Sequence, residues 1–265
     1  MTAIILTVCI LTGLIHCAET LSYSLRLAGV RTGKLAVSLS LTGILLLVSR
    51  TANMIQSPLA GGVIDLAQVE PDIPIKEAFH WIIGASSLGT ALAMLLFPSC
   101  VLLFSRMIGH LETAGSLPRM VTSVTVEQLR NAKYHLRRPS WSMLRSLRYH
   151  GVPYSLFVMN ACVTGIYTVG VLAALYASFL FPGMAAFTSQ SSGLINGVAT
   201  ILLTLFIDPH LAMLTDKAQR DLKAQQGLGR VFGAFMVSRL AGTLLAQLLF
   251  VPAAYWIGWV AGLLH

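Results

Sequence analysis

The chain has 265 residues, of which 55% are hydrophobic and only 11% charged, and it carries a formal net charge of +8. Soluble domains carry about 25% charged residues, so this composition excludes an ordinary water-soluble globule and describes a polytopic membrane protein. The positive balance suits the anionic cytoplasmic leaflet, and nucleic acid is not expected as a partner.

Six apolar stretches, roughly 3–25, 35–57, 79–105, 154–180, 192–214 and 228–250, meet the about 20 residues that a bilayer demands. Lipid offers backbone groups no water, so spans must be helices or a closed barrel. Their length and lack of strict alternation select helices. The expectation is an all-α polytopic membrane protein with about six transmembrane helices, forming a single integral membrane domain over 1–265.

Span one places Thr12, His16, Glu19, Thr20 and Tyr23 on one helical face. A cleaved signal peptide is its other reading, but there is no basic n-region, and Glu19 and Tyr23 fit a cleavage site poorly. The loop that follows holds Arg26, Arg31 and Lys34 and no acid. Span two contains LLLVSRTANMIQSPLAG, a leucine run interrupted by Arg50 and followed by Asn53, Gln56 and Ser57. An arginine at the bilayer centre costs about 2.5–3.5 kcal/mol on insertion scales. Such a residue needs a partner.

After span two, residues 58–78 carry Asp65, Glu70, Asp72 and Glu77 against Lys76. The connection at 106–150, after span three, sets eight Lys/Arg against Glu112 and Glu127. Thr125-Val126-Glu127-Gln128 has capping-box spacing, predicting a helix toward His135. Trp141, Met143, Leu144 and Leu147, with Arg145 and Arg148, predict a short basic amphipathic helix on the cytoplasmic membrane surface. Span four offers Asn160, Thr164 and Thr168, and the loop near 181–191 is uncharged.

Span five repeats polar residues every fourth position: Asn196, Thr200, Thr204 and Asp208. The fifth loop is basic again, with Lys217, Arg220, Lys223 and Arg230 against Asp216 and Asp221. Span six holds Ser238, Arg239, Thr243 and Gln247. The tail 251–265, opened by Pro252 and rich in Tyr255, Trp256 and Trp259, suits an outer interfacial segment. Alternatively, span six starts near Leu240 and runs through it, leaving Arg239 near the cytoplasmic boundary. Basic and non-basic loops alternate throughout, which predicts loops one, three and five in the cytoplasm and both termini outside. Cys9, Cys17, Cys100 and Cys162 lie singly in spans and read as packing residues.

An internal repeat is present. A shift of 189 residues superposes spans one and two on spans five and six, with Glu19 on Asp208, Arg31 on Arg220, Lys34 on Lys223 and Val48-Ser49-Arg50 on Val237-Ser238-Arg239. Coincidence of rare intramembrane charges makes this a parallel two-fold repeat of the kind some transporters build around a central site.

Serines and threonines on these faces are also ordinary interhelical glue, but Glu19, Arg50, Asp208 and Arg239 demand more. With span one ending near residue 25, Glu19 lies about 10 Å from the cytoplasmic turn and Arg50 about 24 Å. They are then too far apart in depth to pair, and Arg50 is left for an anion or a water-filled cavity. No H-E-x-x-H, G-x-S-x-G or P-loop occurs. His16 and Glu19 are two ligands and make no metal site, and no cofactor is expected. A transporter of an anionic substrate leads, with a membrane enzyme behind it.

The segments ETLSYSLRLAGVRTGKLAVSLS, VSRTANMIQSPLAG and NGVATILLTLFIDPHLAMLTD resemble the Amj family, bacterial membrane proteins that provide an alternative to the main lipid II flippase. The resemblance runs over nearly the whole chain. It implies a bacterial cytoplasmic-membrane protein that moves lipid II, the undecaprenyl-pyrophosphate-linked cell-wall precursor, from the inner to the outer leaflet. Membrane lipids and cell-wall synthesis proteins are the further partners it brings to mind.

The site assignments rest on the residues themselves. Arg26, Arg31 and Lys34 attract the headgroup at the cytoplasmic entrance. Arg50, joined by Arg239 and Asn53, holds the pyrophosphate, because guanidinium grips phosphate bidentately. Glu19, Asp208 and His16 balance charge or take protons. Asn160, Asn196, Thr200, Thr204 and Gln247 line the cavity. Two rivals stay open at this point: a polyprenyl-phosphate enzyme (phosphatase or transferase), and a non-transporting scaffold that docks wall-synthesis proteins on the 106–150 connection.

Overall fold

In the computed structural model, which describes residues 1–70, 72–114 and 152–264, the chain is helical almost throughout and no strand occurs among the described residues. The amphipathic helices expected near residues 125–148 lie outside the described residues. Six stretches are long and apolar enough to cross a membrane. They are α1 (Thr2–Thr32), α2 (Leu35–Val69), α3 (Ile75–Ala114), α4 (Tyr154–Leu180), a broken fifth span and α8. The fifth comprises a 3-10 turn (Pro182–Met184), α5 (Ala185–Gln190), α6 (Ser192–Leu202), a π-helical turn (Leu203–Ile207) and α7 (Asp208–Arg220). α8 covers Leu222–Leu264.

The breaks have local causes. α1 ends where Gly33 adopts the left-handed conformation, φ 71°, and the Lys34 N–H reaches back to the Gly29 carbonyl. This makes a two-residue hairpin into α2. Asp221 makes the second tight hairpin: its carboxylate accepts the Lys223 N–H at 2.9 Å and starts α8. The π-helical turn precedes Pro209, whose missing N–H cannot continue an ordinary α-helical ladder. Pro58, Pro98 and Pro252 sit inside helices, as membrane helices tolerate when neighbours and local adjustments satisfy the freed carbonyl. Residues 251–264 therefore continue α8 through Pro252, and the last span is a single 43-residue helix.

Two close helix pairs organise the bundle, α1 on α3 and α4 on α8, while α2 packs chiefly on α1. Small residues permit this: a Cβ on Gly89 would collide with the backbone of Gly13, and one on Gly242 with the backbone of Ala161. Besides a small one at Leu25, Ala28, Leu41 and Ile108, two large apolar clusters form among the described residues. One gathers Phe79, Tyr176 and Phe250 near the ends of the α2–α3 and α4–α5 connections. The other gathers Tyr23, Phe157, Phe232 and Phe235 toward the two tight hairpins. The polar layer lies between them.

Candidate functional site

Helix lengths set the depth of the charges. α1 runs to Thr32, so Glu19 lies thirteen residues from its hairpin, and Arg50 lies fifteen residues into α2. Asp208 heads α7, twelve residues before Arg220, and Arg239 lies seventeen residues into α8. At 1.5 Å per residue all four are about 18–26 Å from the hairpin turns. They share one layer.

This corrects the expectation that Glu19 and Arg50 are far apart in depth. That reading ended span one near residue 25, whereas RLAGVRT continues the helix to the glycine cap and lifts Glu19 by nearly two turns. Ser49, the neighbour of Arg50, donates a 2.9 Å hydrogen bond to Glu19 Oε1. Arg239 is mid-helix, and its Nη2 lies 2.6 Å from Glu19 Oε2, with each side chain 14% exposed. Glu19 thus holds α1, α2 and α8 together.

A cavity of about 420 Å³ opens beside this pair, with Arg26, Arg50, Asp208 and Tyr167 on its walls. Arg26 was expected at the entrance, in a loop; it is helical, and its Nη2 stands 3.9 Å from Asp208 Oδ1. That separation is a loose ion pair. The Nε groups of Arg26 and Arg239 are buried and have no hydrogen-bond partner. Arg50 is exposed, and no carboxylate lies within ion-pair distance of it among the described residues. Three guanidiniums against two carboxylates leave the cavity net positive, with spare N–H donors. An anion is the natural guest.

The cavity also has an open side. Leu46, Ser49 and Arg50 of α2 face Thr200, Leu203 and Asp208 of the fifth span across it, yet α2 forms no packed interface with the fifth span. Exposed apolar residues flank the gap, Leu47 and Val48 on one lip and Leu205 and Phe206 on the other. Helix packing does not wall the cavity on this side.

The remaining expected residues divide. Thr200 lines the cavity. Asn53, His16 and Asn196 line a smaller polar pocket adjoining it through Tyr167. Asn160 does not line either: its amide donates to Ser238 Oγ at 2.6 Å and to the Phe235 carbonyl at 3.2 Å, tying α4 to α8. Gln247 likewise binds His80, side chain to side chain at 2.6 Å and to its carbonyl at 3.0 Å, tying α3 to α8. Thr204 falls in the π-helical turn, exposed and outside the walls. Arg31 and Lys34 stand at the α1–α2 hairpin, where an entrance role places them.

Sequence reasoning missed Tyr167 and Ser22 as wall residues. Tyr167 reads as one more apolar residue of span four. Its position three residues after Thr164, on the polar face, is the signal that was there to use.

The profile of the Amj family, described as "Alternate to MurJ", matches residues 11–261. A protein of Bacillus subtilis (strain 168), called "Lipid II flippase Amj", is 42% identical over 249 residues, covering 93% of each chain. No solved structure matches the chain.

Proposed function

Because the chain belongs to the Amj family, we propose that it is a lipid II flippase, a membrane lipid transporter that carries the precursor from the inner to the outer leaflet. The observation that carries the reading is the net-positive cavity inside the apolar helical bundle, on the side where α2 and the fifth span form no packed interface; on this reading that gap faces lipid. A pyrophosphate cannot cross hydrocarbon bare. Inside the cavity it meets Arg50 and the spare N–H groups of Arg26 and Arg239, while the polyprenyl tail stays in the bilayer through the gap. The volume suits the pyrophosphate and the sugar next to it, so the rest of the headgroup extends through the mouth or widens it.

The repeat supplies the gate. Arg50 corresponds to Arg239 and Asp208 to Glu19, and one of these two equivalent pairs is closed at 2.6 Å while the other is open. Closure of Arg50 on Asp208 shuts the lateral gap once the headgroup has passed. The alternation of loop charges supports a topology with both hairpins, and with them Arg31, Lys34, Arg220 and Lys223, on the cytoplasmic side and both termini outside.

The test is reconstitution of the purified protein in liposomes carrying labelled lipid II, with leaflet exposure read by a membrane-impermeant quencher. Wild-type protein is expected to equilibrate the label between leaflets. Label that remains in its starting leaflet overturns the reading, and cleavage of lipid II in the same sample favours a polyprenyl-phosphate enzyme.

A further inference from the structure

Outward of the charged layer, on the side away from the hairpins, lies the smaller pocket of about 30 Å³. Tyr167 lines both this pocket and the large cavity. Asn53 and Gln56 follow Arg50 along α2 by about 5 and 9 Å, and His16 precedes Glu19 along α1 by about 5 Å. The pocket therefore begins one helical turn from the arginine layer.

Its polar groups are unspent. Gln56 is 5% exposed, and neither its amide nor that of Asn53 has a hydrogen-bond partner among the described residues. His16, 3% exposed, leaves its Nδ1 unpaired, and Asn196 leaves a buried Oδ1 unpaired. Thr12 and Thr168 have given their hydroxyl hydrogens to the carbonyls of Val8 and Thr164, so they offer lone pairs. The three amides, two from α2 and one from α6, can each donate and accept. No carboxylate, ammonium or guanidinium group lines the pocket among the described residues. Such walls match a neutral guest that carries both an N–H and a carbonyl. A bare anion or a metal ion would satisfy only half of them, and a buried polar group left unpaired is costly.

We propose that this pocket is a sugar subsite, which receives the acetamido arm of the amino sugar joined to the pyrophosphate. The idea rests on the flippase reading and deepens it. In lipid II the acetamido group stands on the carbon next to the one that bears the phosphate. A pyrophosphate held at Arg50 therefore brings that arm to the mouth of the pocket. The sugar ring lies in the large cavity against Tyr167, whose side chain swings aside to admit the arm. The arm's carbonyl accepts from the amides of Asn53 and Gln56, and its N–H donates to Asn196 Oδ1. As it stands the space admits one or two waters. Further room comes from α2, which packs chiefly on α1 and forms no packed interface with the fifth span. With the termini outside, the sugar lies outward of the pyrophosphate, the order that the headgroup has in the outer leaflet. The subsite also gives selectivity, because phospholipids bring a phosphate to the arginines but no acetamido group.

The experiment uses the purified full chain in nanodiscs, with lipid II and two further probes. These are undecaprenyl pyrophosphate carrying N-acetylglucosamine, and the same lipid carrying glucose, which has a hydroxyl at that carbon. Wild type is expected to bind the first about tenfold more tightly than the second, as one or two neutral hydrogen bonds allow. Gln56→Met and Asn196→Ala are expected to bring that ratio toward one; using both guards against one failing to fold. A merely structural role would weaken both lipids alike and leave the ratio standing. Tight binding of lipid II with equal affinity for the two probes overturns the subsite and leaves the flippase reading intact, as does a wild-type ratio in either folded variant. No binding of lipid II strikes at the flippase reading itself.

Discussion

Arg239 and Glu19 are separated by 220 residues in sequence and by 2.6 Å in space. Their contact lies in the middle of the bundle, beside a cavity large enough for a phosphate group. A buried ion pair is costly to form because both charges leave water, and costly to halve because the remaining charge is stranded. Here the pair binds the N-terminal hairpin to the last helix, and Ser49 adds the second helix of that hairpin.

Halving the pair should therefore destabilise more than deleting it. Glu19→Ala or Arg239→Ala is expected to lower stability by about 3 kcal/mol, read as thermal unfolding in detergent. Glu19→Leu combined with Arg239→Met should cost less than either single change. A double variant as unstable as the sum of the singles would show that the two residues act independently.

Arg50 should behave in the opposite way. It is exposed to the cavity, with no carboxylate at ion-pair distance among the described residues, so Arg50→Ala should leave the unfolding temperature unchanged. A charge-assisted hydrogen bond contributes about 1.5–3 kcal/mol, so affinity for lipid II should fall about ten- to a hundredfold. Arg50→Lys should recover part of the loss, since a point charge replaces a bidentate fork. Binding measured by tryptophan fluorescence or by microscale thermophoresis checks this.

Asn160 and Gln247 should separate from the wall residues. Each ties α8 to a neighbour through hydrogen bonds, and such interhelical bonds contribute about 0.6–1.7 kcal/mol in membranes. Asn160→Ala and Gln247→Ala are expected to lower thermal stability by that order while leaving lipid II affinity at the wild-type value. A tenfold affinity loss in either variant would return that residue to the site.

Close helix approach predicts which glycines matter. Gly89→Ala would drive a methyl group into the backbone of Gly13, whereas Gly43 has open space around it. The first substitution should cost about 1–3 kcal/mol and the second almost nothing beyond helix propensity. Paired unfolding curves of Gly89→Ala and Gly43→Ala decide the matter.

Pro209 keeps the fifth span from being a regular helix. Pro209→Ala restores an N–H and allows the π-helical turn at Leu203–Ile207 to relax to α-helix. The expected result is equal or higher thermal stability with slower lipid II flipping, because Asp208 and the lip of the gap rotate away from Arg50. Unchanged flipping would mean that the turn has no part in the gate.

Sequence alone determined the helical, six-span character of the chain, since twenty apolar residues in lipid leave a backbone no alternative to an internal hydrogen-bond ladder. It also singled out Glu19, Arg50, Asp208 and Arg239, because charges are rare and costly in such stretches. It misjudged the depth of Glu19, since polarity marked Arg26 as the end of span one while the helix continued to Gly33. Hydropathy locates the apolar centre of a span; the backbone ladder decides where the helix stops. Pairing belonged to tertiary structure altogether. Period 3.6 tells which residues share a face, and only packing tells which face meets which. Packing joined Glu19 to Arg239, turned Asn160 and Gln247 into braces, and left α2 apart from the fifth span so that Arg50 lines a cavity between them.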